Sequence, residues 1–563
     1  MAVPVLSAAV GTAPGGPTVV RSAAPDWAVM LTVDGRQVPL QPGDEQRSLL
    51  EVLRLRAGAS SVKDGCSPQG QCGCCTVLVD GQPRMACVTS TRRVAGRAIT
   101  TVDGLPEATR TAWAEAFAAA GASQCGFCTP GIIVRLAALA DPTPDRVEDA
   151  LLAHLCRCTG WRTILAAAAA ATAADTPEPS GARVAQRTPA PGSSHRASLE
   201  AGTHQEVGPE VALGRAGFAA DTAPADALVA VPDGAGGWAV AETLAEARAA
   251  AAKVQGRRTT LALRWPIDPP QGLWERTLAT TWAEPAYLEP DCSWCLPGGT
   301  PASPLANGGA FGGKTRSPVP AAARRLADQH GQAVVAQWSR EDVVRLGPKR
   351  PPLALGANAD GTGHVRVART PGIAQAIWSV APGWVVEEVD VPGPPTSAAL
   401  RGAGWVEAAV VLAVLAAPEP EVFGRGRAEV TAPSGAWAAA LVTDAGVEVE
   451  VACGPALDEV VLASWCTGAA HQALGWVRSE GVTVDEDGRV HDLTIRSFGV
   501  LRARDTPPIT VTIHTDRAPV PTALRGHSGP TQPVTGSDAV FAAVAAAVWL
   551  ADGLPARWPC RRR

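Results

Sequence analysis

The chain has 563 residues, 49 Lys plus Arg against 54 Asp plus Glu, and a formal charge of −5. With 46% hydrophobic and 18% charged residues it is too apolar to be wholly disordered, and its length implies several domains with buried cores. The slight acidity argues against a nucleic acid as main partner, since such binders carry a basic surplus or stripe.

Residues 1–26 read as a flexible N-terminus. Arg21 is the one charge among the first 25 residues and no charged start precedes an apolar block, so no secretory leader is expected and a cytoplasmic location is. Val29–Val33, the Asp34-Gly35 turn and Val38–Leu40 predict a hairpin, and Thr76–Val79, Asp80-Gly81 and Arg84–Cys87 a second. Ser48–Arg56 reads as a helix. Ile132–Leu139 follows Pro130, a residue suited to a first helical turn, and Val147–Leu155 has helical periodicity after Asp145. The apolar runs Leu165–Ala174 and Ala539–Leu550 are too short to span a membrane. From Thr176 to about Ala225 Pro, Ser, Gly, Thr and charge dominate, which reads as a flexible linker, at least to residue 210.

Cysteine is the informative residue. Of 14 in the chain, nine fall between Cys66 and Cys158. Clustered cysteines in a cytosolic protein more often bind metal than form disulfides. Cys66, Cys72, Cys75 and Cys87 form C-x5-C-x2-C-x11-C, one residue longer in its first gap than the plant-type [2Fe–2S] spacing. Three thiolates from one Gly-rich loop wrap a small cluster, and small residues let backbone N–H groups reach the sulfurs. Structural zinc is the alternative, but it favours paired C-x2–4-C knuckles. Cys74 reads as a bystander, because adjacent Cys74 and Cys75 do not readily reach one cluster. Cys125, Cys128, Cys156 and Cys158 form C-x2-C-x27-C-x-C, each pair at a predicted helix boundary. Cys292-x2-Cys295, Cys453, Cys466 and Cys560 read as structural or surface thiols.

Over residues 27–165, QCGFCTPG and CRCTGW at this separation resemble the iron–sulfur subunit of the xanthine oxidase/aldehyde oxidase family of molybdenum hydroxylases. Later segments resemble that family's molybdopterin-binding part: Ala286–Pro290, Gly308-Gly309-Ala310-Phe311-Gly312-Gly313-Lys314, Trp338–Asp342, Arg401–Gly404, Gly468–Ala470 and Gly536–Trp549. The resemblance implies a multidomain α+β chain. It has a β-grasp ferredoxin-like [2Fe–2S] domain at 27–90, a helical [2Fe–2S] domain at 91–170, a linker at 171–225 and a shortened α+β molybdopterin-binding domain at 226–563. It implies two [2Fe–2S] clusters, a molybdopterin with molybdenum in the cytosine dinucleotide form, and no FAD here. Gln124, Cys158, Gly308, Gly309, Ala310, Phe311, Gly312, Gly313 and Arg401 would lie at the pterin, the glycines letting main-chain amides approach the metal centre.

The implied activity is hydroxylation of an aldehyde or N-heterocycle with water as oxygen source. Electrons would pass through the clusters to a separate flavin-binding subunit, with a small-molecule substrate and a further molybdenum subunit as the other partners the resemblance allows. One departure stands out. The family's catalytic Glu falls at Gly529 in Gly526-His527-Ser528-Gly529-Pro530, and a Gly takes no proton. His527 is the weak candidate base, with Glu480 and Glu289 as alternatives. The second reading is therefore an electron-transfer module whose molybdopterin-like half is inactive and serves as a docking scaffold.

Overall fold

The computed structural model describes residues 30–173, 189–253, 255–417, 424–515 and 530–560. His527 and Gly529 lie outside them.

β1 (Met30–Val33) and β2 (Arg36–Pro39) form the first hairpin, with Asp34 and Gly35 both at positive φ, as a tight two-residue turn requires. α1 (Leu49–Ala57) starts at Ser48, whose hydroxyl accepts from the Glu51 N–H while the Glu51 carboxylate accepts from the Ser48 N–H. It buries Leu49, Leu50, Val52 and Leu53, one face of a 3.6-residue repeat. β3 (Thr76–Val79) and β4 (Gln82–Met85) form the second hairpin around Asp80-Gly81.

β5 (Ala98–Thr100) lies parallel to β1 and antiparallel to β3, giving the sheet order β2-β1-β5-β3-β4. The central strand thus comes after residue 90, so the sheet domain extends to about residue 100. Three residues are too few to show the alternation by which strands are read.

The helical region has α2 (Glu107–Ala119), α3 (Thr129–Ala137), α4 (Pro144–Ala150) and α5 (Arg162–Ala173). Cys128 is the residue before α3, and Pro130 sits in its first turn. The Cys156–Cys158 loop leads directly into α5.

The expectation of a flexible stretch does not hold over residues 189–225. α6 (Ser193–Ala201), α7 (Pro209–Ala212) and α8 (Ala219–Thr222) lie there, docked by buried polar ties. Arg196, fully buried, pairs with Glu200 at 3.1 Å and donates to the carbonyls of Pro455, Ala456 and Val534. Glu200 in turn accepts from the N–H groups of Gly536 and Ser537, at the positive end of the helix Ser537–Ala551. Lys63, in the ferredoxin-like part, donates to the Gly214 carbonyl and pairs with Asp221. Such contacts between distant residues leave no trace in composition.

Among the described residues the second half holds three sheets. One runs Trp238–Ala241, Leu228–Pro232, Val334–Gln337, Cys292–Cys295. The next runs Val385–Val389, Gly363–Ala368, Leu353–Ala357, Arg276–Thr280, Arg557–Trp558. The last runs Gly426–Thr431, Trp437–Thr443, Gly446–Ala452, Ile509–Ile513. The Ser537–Ala551 helix is buried on all sides, packed on the helix Glu459–Arg478 and on the last sheet. That explains its apolar run as a core helix. Among the described residues no helix is long and apolar enough to cross a membrane.

Candidate functional site: two thiol groups and the glycine-rich loop

All eight predicted ligand cysteines are buried, in two neighbouring groups. In the first, the N–H groups of Gln69 and Gln71 donate to the Cys66 sulfur at 3.2 and 3.5 Å, and the Cys87 N–H to Cys75 at 3.4 Å. Ser67, Gly70 and Gly73 take positive φ to turn this loop around the sulfurs. The Cys72 and Cys87 thiols, then the two backbone donors, hold Cys66 well below the ordinary thiol range against the cost of burial. Cys66 in return pushes Cys72 and Cys87 up, with burial adding to it. Four such thiols ionise together only when positive charge arrives among them.

In the second group Cys125 and Cys158 lie sulfur to sulfur at 3.6 Å. Cys156 is brought down to about 7, first by the neighbouring Cys128 thiol and then by Thr159, whose hydroxyl is 3.1 Å away. Two sulfurs on one tetrahedral ion with bonds of about 2.3 Å stand about 3.8 Å apart. In the second group Cys125 adjoins Cys158 and Cys128 adjoins Cys156, as suits a two-iron cluster in which four cysteines serve two irons, while in the first Cys66 adjoins both Cys72 and Cys87, and Cys87 adjoins Cys75. Each group supplies the four buried thiols that a [2Fe–2S] cluster takes.

The groups abut. The Leu155 N–H donates to the Cys72 carbonyl at 3.0 Å, and a Cβ on Gly131 would lie 2.3 Å from the Gly73 carbonyl oxygen. Cys74 is buried beside Cys72, where a Cβ on Gly65 would meet both sulfurs and the Phe127 ring.

The segments resembling a molybdopterin site fasten the iron–sulfur part to the second half. Arg340 donates to the carbonyls of Gly65 and Leu288, Glu341 accepts from the Gln69 amide, and Lys314 pairs with Glu289 at 2.8 Å. Arg157, between Cys156 and Cys158, forms a two-pronged buried pair with Glu480 at 2.6 and 2.7 Å. Glu480 and Glu289 are thus both committed to cations. Sequence reading missed Gln69, Gln71 and Arg496, which ties the Gln71 carbonyl to that of Leu152. Their only signal was the loop they occupy.

The glycine-rich loop meets protein atoms at close range. A Cβ on Gly309 would lie 3.0 Å from the Cys125 sulfur and 3.5 Å from that of Cys158, and one on Gly312 would lie 2.1 Å from the Ala399 carbonyl oxygen. On Gly308 it would meet Ala201 and Gln205, and on Gly313 the Tyr287 ring. Ala310 is buried, while Phe311 packs edge-on to Trp465 and under the Arg401 guanidinium at 4.9 Å. Arg401 donates to Gln472 at 2.9 Å, and Gln472 donates to the Arg157 carbonyl at 3.0 Å. Gln124 donates to the Cys158 carbonyl and to Ser464.

The hollows flanking the loop hold about 10 Å³ beside Cys125, Cys158 and Lys314, and about 40 Å³ between Arg157, Arg401, Gln472 and Trp476. Small-molecule sites run to about 300–1,000 Å³. Neither of these two hollows has room for a molybdopterin beside Gly308, Gly309 or Arg401, because protein side chains fill that space. A larger groove of about 860 Å³ lies across the loop, along Gly312, Gly313, Arg316, Trp338 and residues 395–399, and includes neither Gln124 nor any ligand cysteine.

Residues 101–169 match the [2Fe-2S] binding domain family. The nicotinate dehydrogenase small FeS subunit of Eubacterium barkeri is 38% identical over 142 residues, 24% of this chain and 88% of that protein. The aldehyde oxidoreductase of Megalodesulfovibrio gigas is 41% identical over 145 residues, again 24% of this chain but 16% of that protein. In sequence, then, the chain matches only a small share of that larger relative. The solved aldehyde oxidoreductase from Desulfovibrio gigas superimposes with a TM-score of 0.69 at 16% identity, over 94% of this chain and 98% of that one. At that identity the likeness is one of fold.

Proposed function

The chain belongs to the xanthine oxidase/aldehyde oxidase family of molybdenum hydroxylases, and on that premise we propose that it relays electrons within such an oxidoreductase through two [2Fe–2S] clusters. The observation that carries this is the two adjoining groups of four buried thiols. Cys66, Cys72, Cys75 and Cys87 would hold one cluster, and Cys125, Cys128, Cys156 and Cys158 the other. The clusters supply one-electron carriers when bound. The chain's own residues do the rest. The Gln69 and Gln71 N–H groups offset thiolate charge, burial keeps water from the sulfurs, and Gly131 lets the two loops approach closely.

In this reading electrons enter at the helical-domain group, whose Cys125 and Cys158 sulfurs lie against the Gly309 loop, and leave by the ferredoxin-like group, where the half-exposed Val88 adjoins Cys87. The acceptor in this reading is a separate flavin subunit, and the substrate of the assembly an aldehyde or N-heterocycle hydroxylated with oxygen from water.

Iron analysis with reductive titration of the full chain tests the relay. About four irons per chain and uptake of about two electrons are expected. Zinc in place of iron, or uptake of a single electron by fully iron-loaded chain, would refute it.

A further inference from the structure

Resting on that reading, we propose that the seat which the family resemblance gives to a molybdopterin is closed in this chain by its own side chains. The chain then relays electrons for a molybdenum centre carried on a separate subunit of the same family. Three observations converge on this.

The first is what the glycines accommodate. Gly308, Gly309, Gly312 and Gly313 are needed because Gln205, the Cys125 and Cys158 sulfurs, the Ala399 carbonyl and Tyr287 already lie within contact of where a Cβ would be. Protein atoms fill the Cβ side of all four glycines.

The second is how the space behind the loop is spanned. Three guanidinium groups cross it, each with a dedicated acceptor. Arg157 pairs with Glu480, Arg401 bonds Gln472, and Arg350 grips Glu407 with two contacts of 2.7 and 2.9 Å. Arg350 also lies over the Trp476 ring at 4.2 Å, and Trp476 stacks on Phe541 at 5.3 Å. Opening this volume would break buried ion pairs and leave uncompensated charge. Of the side chains lining this hollow, Arg401 Nη2 and the Glu284 carboxylate are without a hydrogen-bond partner, and Glu284 is paired in charge with Lys349 at 2.9 Å. The 40 Å³ present is the size of a water site, which takes about 30 Å³ of liquid volume.

The third is proton-acceptor chemistry. Glu480 and Glu284, which line the larger hollow, and Glu289, which lines the smaller, pair with Arg157, Lys349 and Lys314, and the sequence puts Gly529 at the place of the hydroxylase Glu. A closed seat and a missing base describe one condition, a half kept for its shape.

The test uses full chain from a host that makes the molybdenum cofactor and from one blocked in its synthesis. A known molybdenum hydroxylase made in the first host serves as loading control. Iron, molybdenum and oxidised-pterin fluorescence are measured per chain, with the melting temperature. With the control loaded, the proposal expects molybdenum and pterin at background and the same melting temperature from both hosts. Stoichiometric molybdenum and pterin, or a melting temperature raised only in the competent host as a bound ligand would raise it, overturns it, wherever on the chain the pterin sits. The iron count reads separately. Its loss would sink the relay, while the molybdenum and pterin counts still decide the seat.

Discussion

Gly309 shows at the scale of one residue how cluster and second half depend on each other. Its φ of +79° is strained for any side chain, and an added Cβ would lie 2.8 Å from the Cys125 Cβ. Gly309→Ala should therefore push on the Cys125/Cys158 pair and spare the other group, which it does not touch. The expected result is a fall from about four irons per chain toward two, with the retained iron in the ferredoxin-like group. Unchanged iron would show that the loop and the thiols are not in contact. The ligand cysteines were legible from spacing alone, because the chemistry dictates it. The role of Gly309 was not, since a Gly-rich loop reads the same whether it makes room for a cofactor or for two sulfurs.

At the scale of elements, local rules carried the reading furthest. The two Asp-Gly turns and Pro130 in the first turn of α3 are signals within a few residues, and all lie where expected, while the helix expected from Ser48 begins at Leu49 with Ser48 as its cap. Strand β5 and helix α6 were not legible. The first is too short, and the second is held by Arg196 and Glu200 against residues more than 250 positions away.

The helix Glu459–Arg478 carries a pH dependence of the same non-local kind. Burial, then the nearby Arg157 charge, pushes His471 down to about 3, and its Nε2 lies 3.1 Å from the Leu501 carbonyl. An unfolded His takes a proton below its ordinary value of about 6.5. The folded form does not until about 3. The stability is therefore fully present above pH 6.5 and is lost as pH falls toward 3. Between pH 7 and pH 5 it amounts to about 2 kcal/mol for one such group. His154 is pushed down in the same way, also to about 3. His471→Gln should therefore remove roughly half of the acid-induced drop in urea midpoint that the two His contribute. An unaltered drop would mean that His471 is protonated in the folded state.

At the scale of the whole molecule, the polar ties across the halves make one body of relay and scaffold. Gln69, Arg340, Arg157 and Arg496 each join an iron–sulfur loop to the second half, so the loops are braced from outside their own domain. Family membership was legible in the first 165 residues. What the shortened half does with its retained segments was not, because the same short motifs serve a cofactor or a buried ion pair, and only the packing tells them apart.

The claim that two separate clusters sit on these two cysteine groups is tested most directly by electron paramagnetic resonance of the dithionite-reduced full chain, beside Cys75→Ser and Cys128→Ser. The account expects two distinct [2Fe–2S] signals in the parent chain, one lost in each variant and the other kept. A single signal, or two signals that both survive either substitution, would contradict it.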